Sequence, residues 1–388
     1  MERRSAVKAI VLAGVTSTSL LSLPIQLNSK TKMWNKTKFS KLLGIQYPIV
    51  QGPFGGGLSS VNLTSTVSNA GGLGSFGGQP FSSNEIIETC REIRKYTDKP
   101  FNLNLWVNDR DARLAEFDDE DYKKLSELFK PYFNELGLPI PERPIDLGAK
   151  FEEQIEAVFA TKPAVFSFVY GIPSSDILEK CKTLGIKTIG AATTVDEAIE
   201  LENAGVDAIV ATGFEAGGHR VSFIKSAEES LTGIFSLIPQ VADHVKIPVI
   251  AAGGIADSRG IKAALSLGAD AVQMGTAFLA TSQSNATQDH KDKLFSSDAK
   301  YTTLTKIFTG RLSRGIRNRL TEELKNHESL LAPYPLQGKF MSFLKAYPPT
   351  ENSNPDFKSY WAGQSAPLLK HKDAKDLIDT LVNEMNKK

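Results

Sequence analysis

Cysteine and histidine are scarce in this chain, and their scarcity removes whole classes of chemistry. Among 388 residues there are 2 cysteines, Cys90 and Cys181. They form no CxxC pair and are too few for a disulfide framework. Each follows a helix-like stretch, where burial as a small hydrophobe is expected. The 5 histidines (His219, His244, His290, His327, His371) are scattered. No HExxH or paired-histidine spacing occurs, so no metal site is expected. The formal net charge is only +1. No global field draws the chain to nucleic acid or an anionic surface. There is no Walker motif and no GxGxxG after a first strand, which excludes the two commonest phosphate-binding signatures.

The first residues read MERRSAVKAIVLAGVTSTSLLSLPIQLNSK. A basic start precedes an apolar run of roughly fifteen residues, too short to span a bilayer comfortably as a helix. The charge-then-apolar order suits an export signal over residues 1–30, and Arg3 and Arg4 give it a twin-arginine character. A periplasmic or cell-envelope location follows, with a cytoplasmic one as the alternative; no A-x-A cleavage site stands after the run. This segment is set apart from the fold.

From about residue 45 the chain has plenty of two things: short apolar runs and glycine. The expected strands are 47–53, 71–78, 101–107, 164–171, 186–193, 207–213, 247–254 and 270–278. Most are continuous apolar or small-residue runs, as strands buried on both faces of a parallel sheet read. Between them lie amphipathic helices with capping residues. Serines precede VNLTSTVSN, Thr194 precedes VDEAIELEN, and Asp257 precedes SRGIKAALS. Eight strand–helix units are the count of an α/β (β/α)8 TIM barrel. A doubly wound open sheet is the alternative.

The expected domain runs over 39–282. Two excursions leave the strand ends: an insertion at 108–150, and a mostly helical added segment at 283–366 after strand eight. A C-terminal helix follows at 367–388. Both excursions depart from the barrel face that carries active sites, so both are candidate pocket walls.

Glycines cluster at the same face, in QGPFGGG, GGLGSFGG, AAGGI and MGTAF. At strand ends they let backbone approach a flat or anionic ligand. Gly253 and Gly254 precede a helix start, and Gly275 and Thr276 follow strand eight, where barrels often hold a phosphate. The ligand expected is a mononucleotide. ATGFEAGGHR ends the sixth strand and carries Glu215, His219 and Arg220. A histidine at that position is placed for catalysis. His244 reads as a partner of a helix C-terminus. His290, His327 and His371 sit among charged residues and read as exposed.

QGPFGGG, FNLNLWV, ATGFEAGGHR, IPVIAAGGI, AVQMGTAFL, TGRLSRGIRN, LAPYPLQGKF and YWAGQS together resemble the nitronate monooxygenases, from about Phe39 to Ala366. The resemblance implies an FMN-containing barrel that oxidises alkyl nitronates with molecular oxygen. It implies that Gln51, Gly52, Pro53, Phe54 and Gly55 run along the isoalloxazine ring, and that Asn104 hydrogen-bonds it. Gly253, Gly254, Gly275 and Thr276 would hold the FMN phosphate, and Gln273 would face the flavin. Gly217 and Gly218 would let their loop approach it. His219 would be the catalytic base or a substrate-orienting donor. Tyr334, Trp361 and Gln364 would line the pocket. The reaction partners implied are a small nitronate or nitroalkane and oxygen, no nucleic acid, with a homodimer left open. Two positions depart from the family pattern: Thr212 stands for a frequent glutamine, and Val221 for a glycine after HR. A sister group, the flavin enoyl-acyl-carrier-protein reductases, carries an EAGGH-like stretch and uses NAD(P)H. With the quinone reductases of the same barrel group it supplies the alternative activity.

Overall fold

Parallel strands need both faces covered, and the chain meets that need by closing its sheet. The computed structural model describes residues 33–345 and 357–387. The expected export signal lies outside the described residues. Eight parallel strands form one sheet. They are β1 (Ile49–Gln51), β2 (Gly74–Gly77), β3 (Phe101–Trp106), β4 (Val165–Val169), β5 (Lys187–Ala192) and β6 (Ala208–Thr212), then, after the short β7 (Gly218–His219), β8 (Val249–Ala252) and β9 (Ala271–Met274). Their order around the sheet is β1-β9-β8-β6-β5-β4-β3-β2. The last seam closes through a parallel bridge between Val50 and Leu73. There Gln51 N–H donates to the Leu73 carbonyl at 3.0 Å, and Leu73 N–H to the Ile49 carbonyl at 2.9 Å. Each of the eight falls within a span expected from the sequence, so the fold is the (β/α)8 barrel.

Alternation along the strands sorts the side chains. In β6, Ala208 and Val210 join an inner cluster with Val50, Leu73, Val165, Ile189 and Ile250. Ile209 and Ala211 pack outward with Phe166, Val249 and Val272 against the helices. Phe39, from the helix Lys38–Leu43, completes the inner cluster. Inward positions nearer the strand ends are small, Ala191 and Ala252, polar, Asn104 and Thr212, or aromatic, Trp106. The expected caps form: Ser60, Thr194 and Asp257 each accept from backbone N–H groups of the helices they precede.

The two excursions share a core of their own. The insertion forms a helix, Asp119–Glu135, whose Leu125, Phe129 and Phe133 pack on Leu336, Phe340 and Met341. The latter three belong to a helix, Leu336–Lys345, in the added segment. That segment also contains a hairpin, β10 (Thr302–Thr305) and β11 (Ser313–Ile316), beside its helices. The chain ends in a helix, Ala374–Asn386. Cys90 and Cys181 are free and buried. His290 is a correction. Its charged neighbours suggested an exposed ring, but it is buried and bonded to the Trp361 carbonyl at 3.0 Å. In the helix Gln288–Phe295 the charged residues face out while His290 and Leu294 turn inward. His244 ends the helix Ile234–His244, with Nδ1 2.7 Å from the Gln240 carbonyl.

Candidate active site

The loop after β6 is built to present one side chain. Arg220, fully buried, donates to the Gly213 carbonyl (2.8 Å) and the Thr212 carbonyl (2.7 Å). These bonds tie the far end of the loop back to the strand that starts it. Between the anchors, Gly218 has φ +75, a left-handed conformation that favours glycine. At Gly217 a Cβ would stand 2.6 Å from the Gly363 nitrogen, so only glycine lets the YWAGQS segment pack there. His219 then falls in β7, opposite Ser313 of β11. The added segment thus completes a small antiparallel sheet around the histidine.

His219 is partly buried in a cage of rings. The centroids of Trp106, Trp361 and Tyr334 lie 5.0, 5.6 and 6.4 Å from its own. Its Nε2 is 3.0 Å from Thr309 Oγ1. Burial, with the charges of Arg311 and Lys345, pushes its pKa down to about 3. His219 is therefore neutral across the physiological range. The Thr309 hydroxyl has one proton, and two acceptors lie within reach: Nε2 and the Arg311 carbonyl (3.2 Å). If the carbonyl takes it, His219 Nε2–H donates and Nδ1 holds the lone pair. If Nε2 takes it, Nδ1–H is left to donate to a ligand.

Cations flank the cage. Arg311 lies 4.1 Å from the Tyr170 ring centroid and 4.3 Å from that of Tyr334. Its Nε donates to Asp111 Oδ1 at 2.7 Å, and Asp111 Oδ2 accepts the Tyr334 N–H at 3.0 Å. One carboxylate thereby fixes a cation and an aromatic wall. Lys345 Nζ lies 5.3 Å from the Phe308 ring centroid. Burial pushes its pKa down to about 8.

Whether a flavin fits turns first on the backbone at the strand ends. The N–H groups of Gly253, Gly254, Gly275 and Thr276, at the ends of β8 and β9, find no acceptor among the described residues. Gly253 (φ +110) and Gly254 (φ +67) both hold conformations that L side chains rarely adopt. Free N–H groups on glycine turns at adjacent strand ends fit a phosphate. Asn104 donates through Nδ2 to Ser167 Oγ at 2.9 Å. Its Oδ1 accepts nothing from the described residues and is available to a ring N–H. The residues present fit the group.

The other expected residues divide. Pro53, Phe54 and Gly55 line the turn after β1, and a Cβ on Gly55 would stand 3.3 Å from Trp106. Gly52 packs on Gly275, its own Cβ position 3.3 Å from that Cα. Gln273 is partly exposed and pairs in register with Val50 of the inner cluster. Gln51, by contrast, is fully buried and accepts the Ser75 N–H at 2.8 Å, bracing β1 to β2. Gln364 is exposed, and its N–H donates to the Glu215 carbonyl at 2.9 Å. Thr276 Oγ1 accepts the Gly363 N–H at 2.9 Å, pinning YWAGQS over β9. Val221 packs in the inner cluster beside Tyr334 and Trp106. Sequence reasoning missed Trp106, Tyr170, Thr309, Arg311 and Lys345 as site residues. Trp106 and Tyr170 stood at the ends of expected strands, and Thr309 and Arg311 in the basic run TGRLSRGIRN. The strand-end positions of Trp106 and Tyr170 were a usable signal, whereas nothing local pointed Thr309, Arg311 or Lys345 at the site.

Known proteins resemble this chain along most of its length. The family model described as nitronate monooxygenase matches residues 36–384. A probable nitronate monooxygenase of Staphylococcus aureus (strain MSSA476) is 38% identical over 355 residues, covering 91% of this chain and 98% of the relative. Among solved structures, a nitroalkane oxidase from Streptomyces ansochromogenes is similar at 30% identity and a TM-score of 0.80. The match covers 90% of this chain and 98% of that one. FabK from Thermotoga maritima is similar at 28% identity and a TM-score of 0.69, with 91% and 96% covered.

Proposed function

The chain belongs to the nitronate monooxygenase family and is an oxidoreductase; from that premise we propose that it binds FMN and oxidises alkyl nitronates with molecular oxygen to a carbonyl compound and nitrite. The observation that carries the choice of nitronate over neutral nitroalkane is the state of His219. A general base works best with a pKa near the operating pH. At about 3, His219 is a poor base for drawing a proton from carbon. A nitronate has already lost that proton. Its oxygens are acceptors, so they select the tautomer in which Nδ1–H donates and Thr309 donates to Nε2. His219 thus orients the substrate rather than deprotonating it.

The surrounding residues supply the rest. Trp106, Tyr334 and Trp361 form an apolar wall suited to an alkyl chain and hold bulk water back. Arg311, held by Asp111 and lying against Tyr170 and Tyr334, fixes that wall in place. The free N–H groups of Gly253, Gly254, Gly275 and Thr276 would hold the phosphate, and Asn104 the ring. When bound, the flavin supplies the electron acceptor that passes reducing equivalents on to oxygen.

The test is product release. Holoenzyme given ethyl nitronate in air is expected to consume oxygen and release nitrite and acetaldehyde, while nitroethane reacts much more slowly. Equal rates with both would contradict the orienting role of His219. The likeness to FabK supports a second reading, an NAD(P)H-dependent flavin reductase on the same barrel. Rapid NADH consumption with an enoyl thioester or quinone, and none of the nitronate, would favour it.

A further inference from the structure

Two cations border the His219 cage, and among the described residues only one of them has a carboxylate partner. Arg311 donates to Asp111 Oδ1 and, at 2.8 Å, to the Asn108 carbonyl, between two tyrosine rings. Its charge is balanced. Lys345 is the last residue of the helix Leu336–Lys345, whose other end holds the Tyr334 wall. Lys345 is partly buried against Phe308. Phe308 stacks edge-on against Trp361 at 5.9 Å, and Trp361 lies 5.6 Å from His219. Through these two rings the ammonium stands behind the Trp361 wall of the His219 cage. Among the described residues it has no carboxylate partner and no hydrogen bond.

An unpaired ammonium in an aromatic setting carries a desolvation cost. The same burial that pushes its pKa down marks that cost. The interaction with a ring face offsets only part of it. An anion arriving beside the cage would offset the rest, and His219, being neutral, offers no competing charge. We propose that Lys345 is the residue through which the site prefers the anionic nitronate over the neutral nitroalkane: it recognises the negative charge while His219 orients the nitro oxygens. This rests on the proposed reaction for the identity of the ligand, but the anion preference can be read without turnover.

The experiment uses FMN-loaded enzyme with Lys345→Met, Lys345→Gln and Lys345→Arg. Two quantities are measured: steady-state constants for ethyl nitronate, and binding of nitrate, a planar unreactive anion, followed by tryptophan fluorescence. Lys345→Met is expected to raise KM for ethyl nitronate and Kd for nitrate about tenfold each, with kcat changed less than threefold. Lys345→Arg restores most of both. Should Lys345→Met fold poorly, Lys345→Gln carries the same test, circular dichroism checking its fold. Unchanged KM and unchanged nitrate affinity would overturn the proposal, as would a fall in kcat at constant KM. Nitrate binding that depends on Lys345 in an enzyme that turns over no nitronate would keep the anion site and remove the proposed reaction.

Discussion

His219 works through its neighbours, and its neutrality has consequences at two levels. In the proposed role, replacing it with alanine removes a hydrogen bond to an anionic ligand and leaves the glycine turns after β8 and β9 untouched. Such bonds contribute about 1.5–3 kcal/mol. His219→Ala is therefore expected to lower kcat/KM for nitronate about 10- to 100-fold while the flavin-to-protein absorbance ratio stays constant. Loss of flavin from the variant would show that the loop serves the cofactor instead. The second consequence is in pH. The folded-state pKa lies below the ordinary value of 6.5, near 3. The unfolded chain thus binds a proton that the folded chain refuses between those limits. Stability from this residue is complete above about pH 6.5 and is lost progressively toward pH 3. His219→Gln is expected to unfold less steeply with acid over that window in denaturant titrations. Wild-type kcat/KM should show no inflection near 6.5.

At the scale of elements, the strand ends are proposed to hold the cofactor, and the added segment closes the cage. Gly253 holds φ +110, and its Cβ would stand 3.1 Å from the Gly213 carbonyl oxygen. Gly253→Ala is expected to displace the turn after β8 and yield largely flavin-free protein, measured by absorbance after gel filtration. The cage depends on a different contact. Phe340 is fully buried among Phe129, Phe133 and Tyr122, fastening the helix Leu336–Lys345 to the insertion. Phe340→Ala is expected to cost about 3–5 kcal/mol in stability and to raise KM for nitronate more than it lowers flavin content. Equal loss of both would mean the helix supports the whole barrel rather than the pocket wall. The barrel strands and their caps were legible because continuous apolar runs and Ser, Thr and Asp caps are local signals. His219 was legible because it ends a strand in a glycine turn. Arg311 and Lys345 were not. They reach the site through packing between segments far apart in sequence, the insertion and the added helix, which no local pattern encodes. His290 was misjudged for a related reason: its neighbours QD and KDK describe one helix face, while the ring occupies the other.

For the whole molecule, the barrel supplies a ligand cradle common to many chemistries, and what singles out this chain is the cover over it. Strand β11 meets the β6 loop edge to edge, the insertion packs on the helix Leu336–Lys345, and these elements surround His219 with rings and cations. That composition suits a small organic anion. The most direct measurement is anaerobic reduction of the purified flavoprotein, followed by its visible absorbance. Ethyl nitronate is expected to bleach the flavin band within the time of turnover, and NADH or NADPH to leave it unchanged over the same period. Bleaching by a nicotinamide, with nitronate inert, would contradict the nitronate chemistry outright.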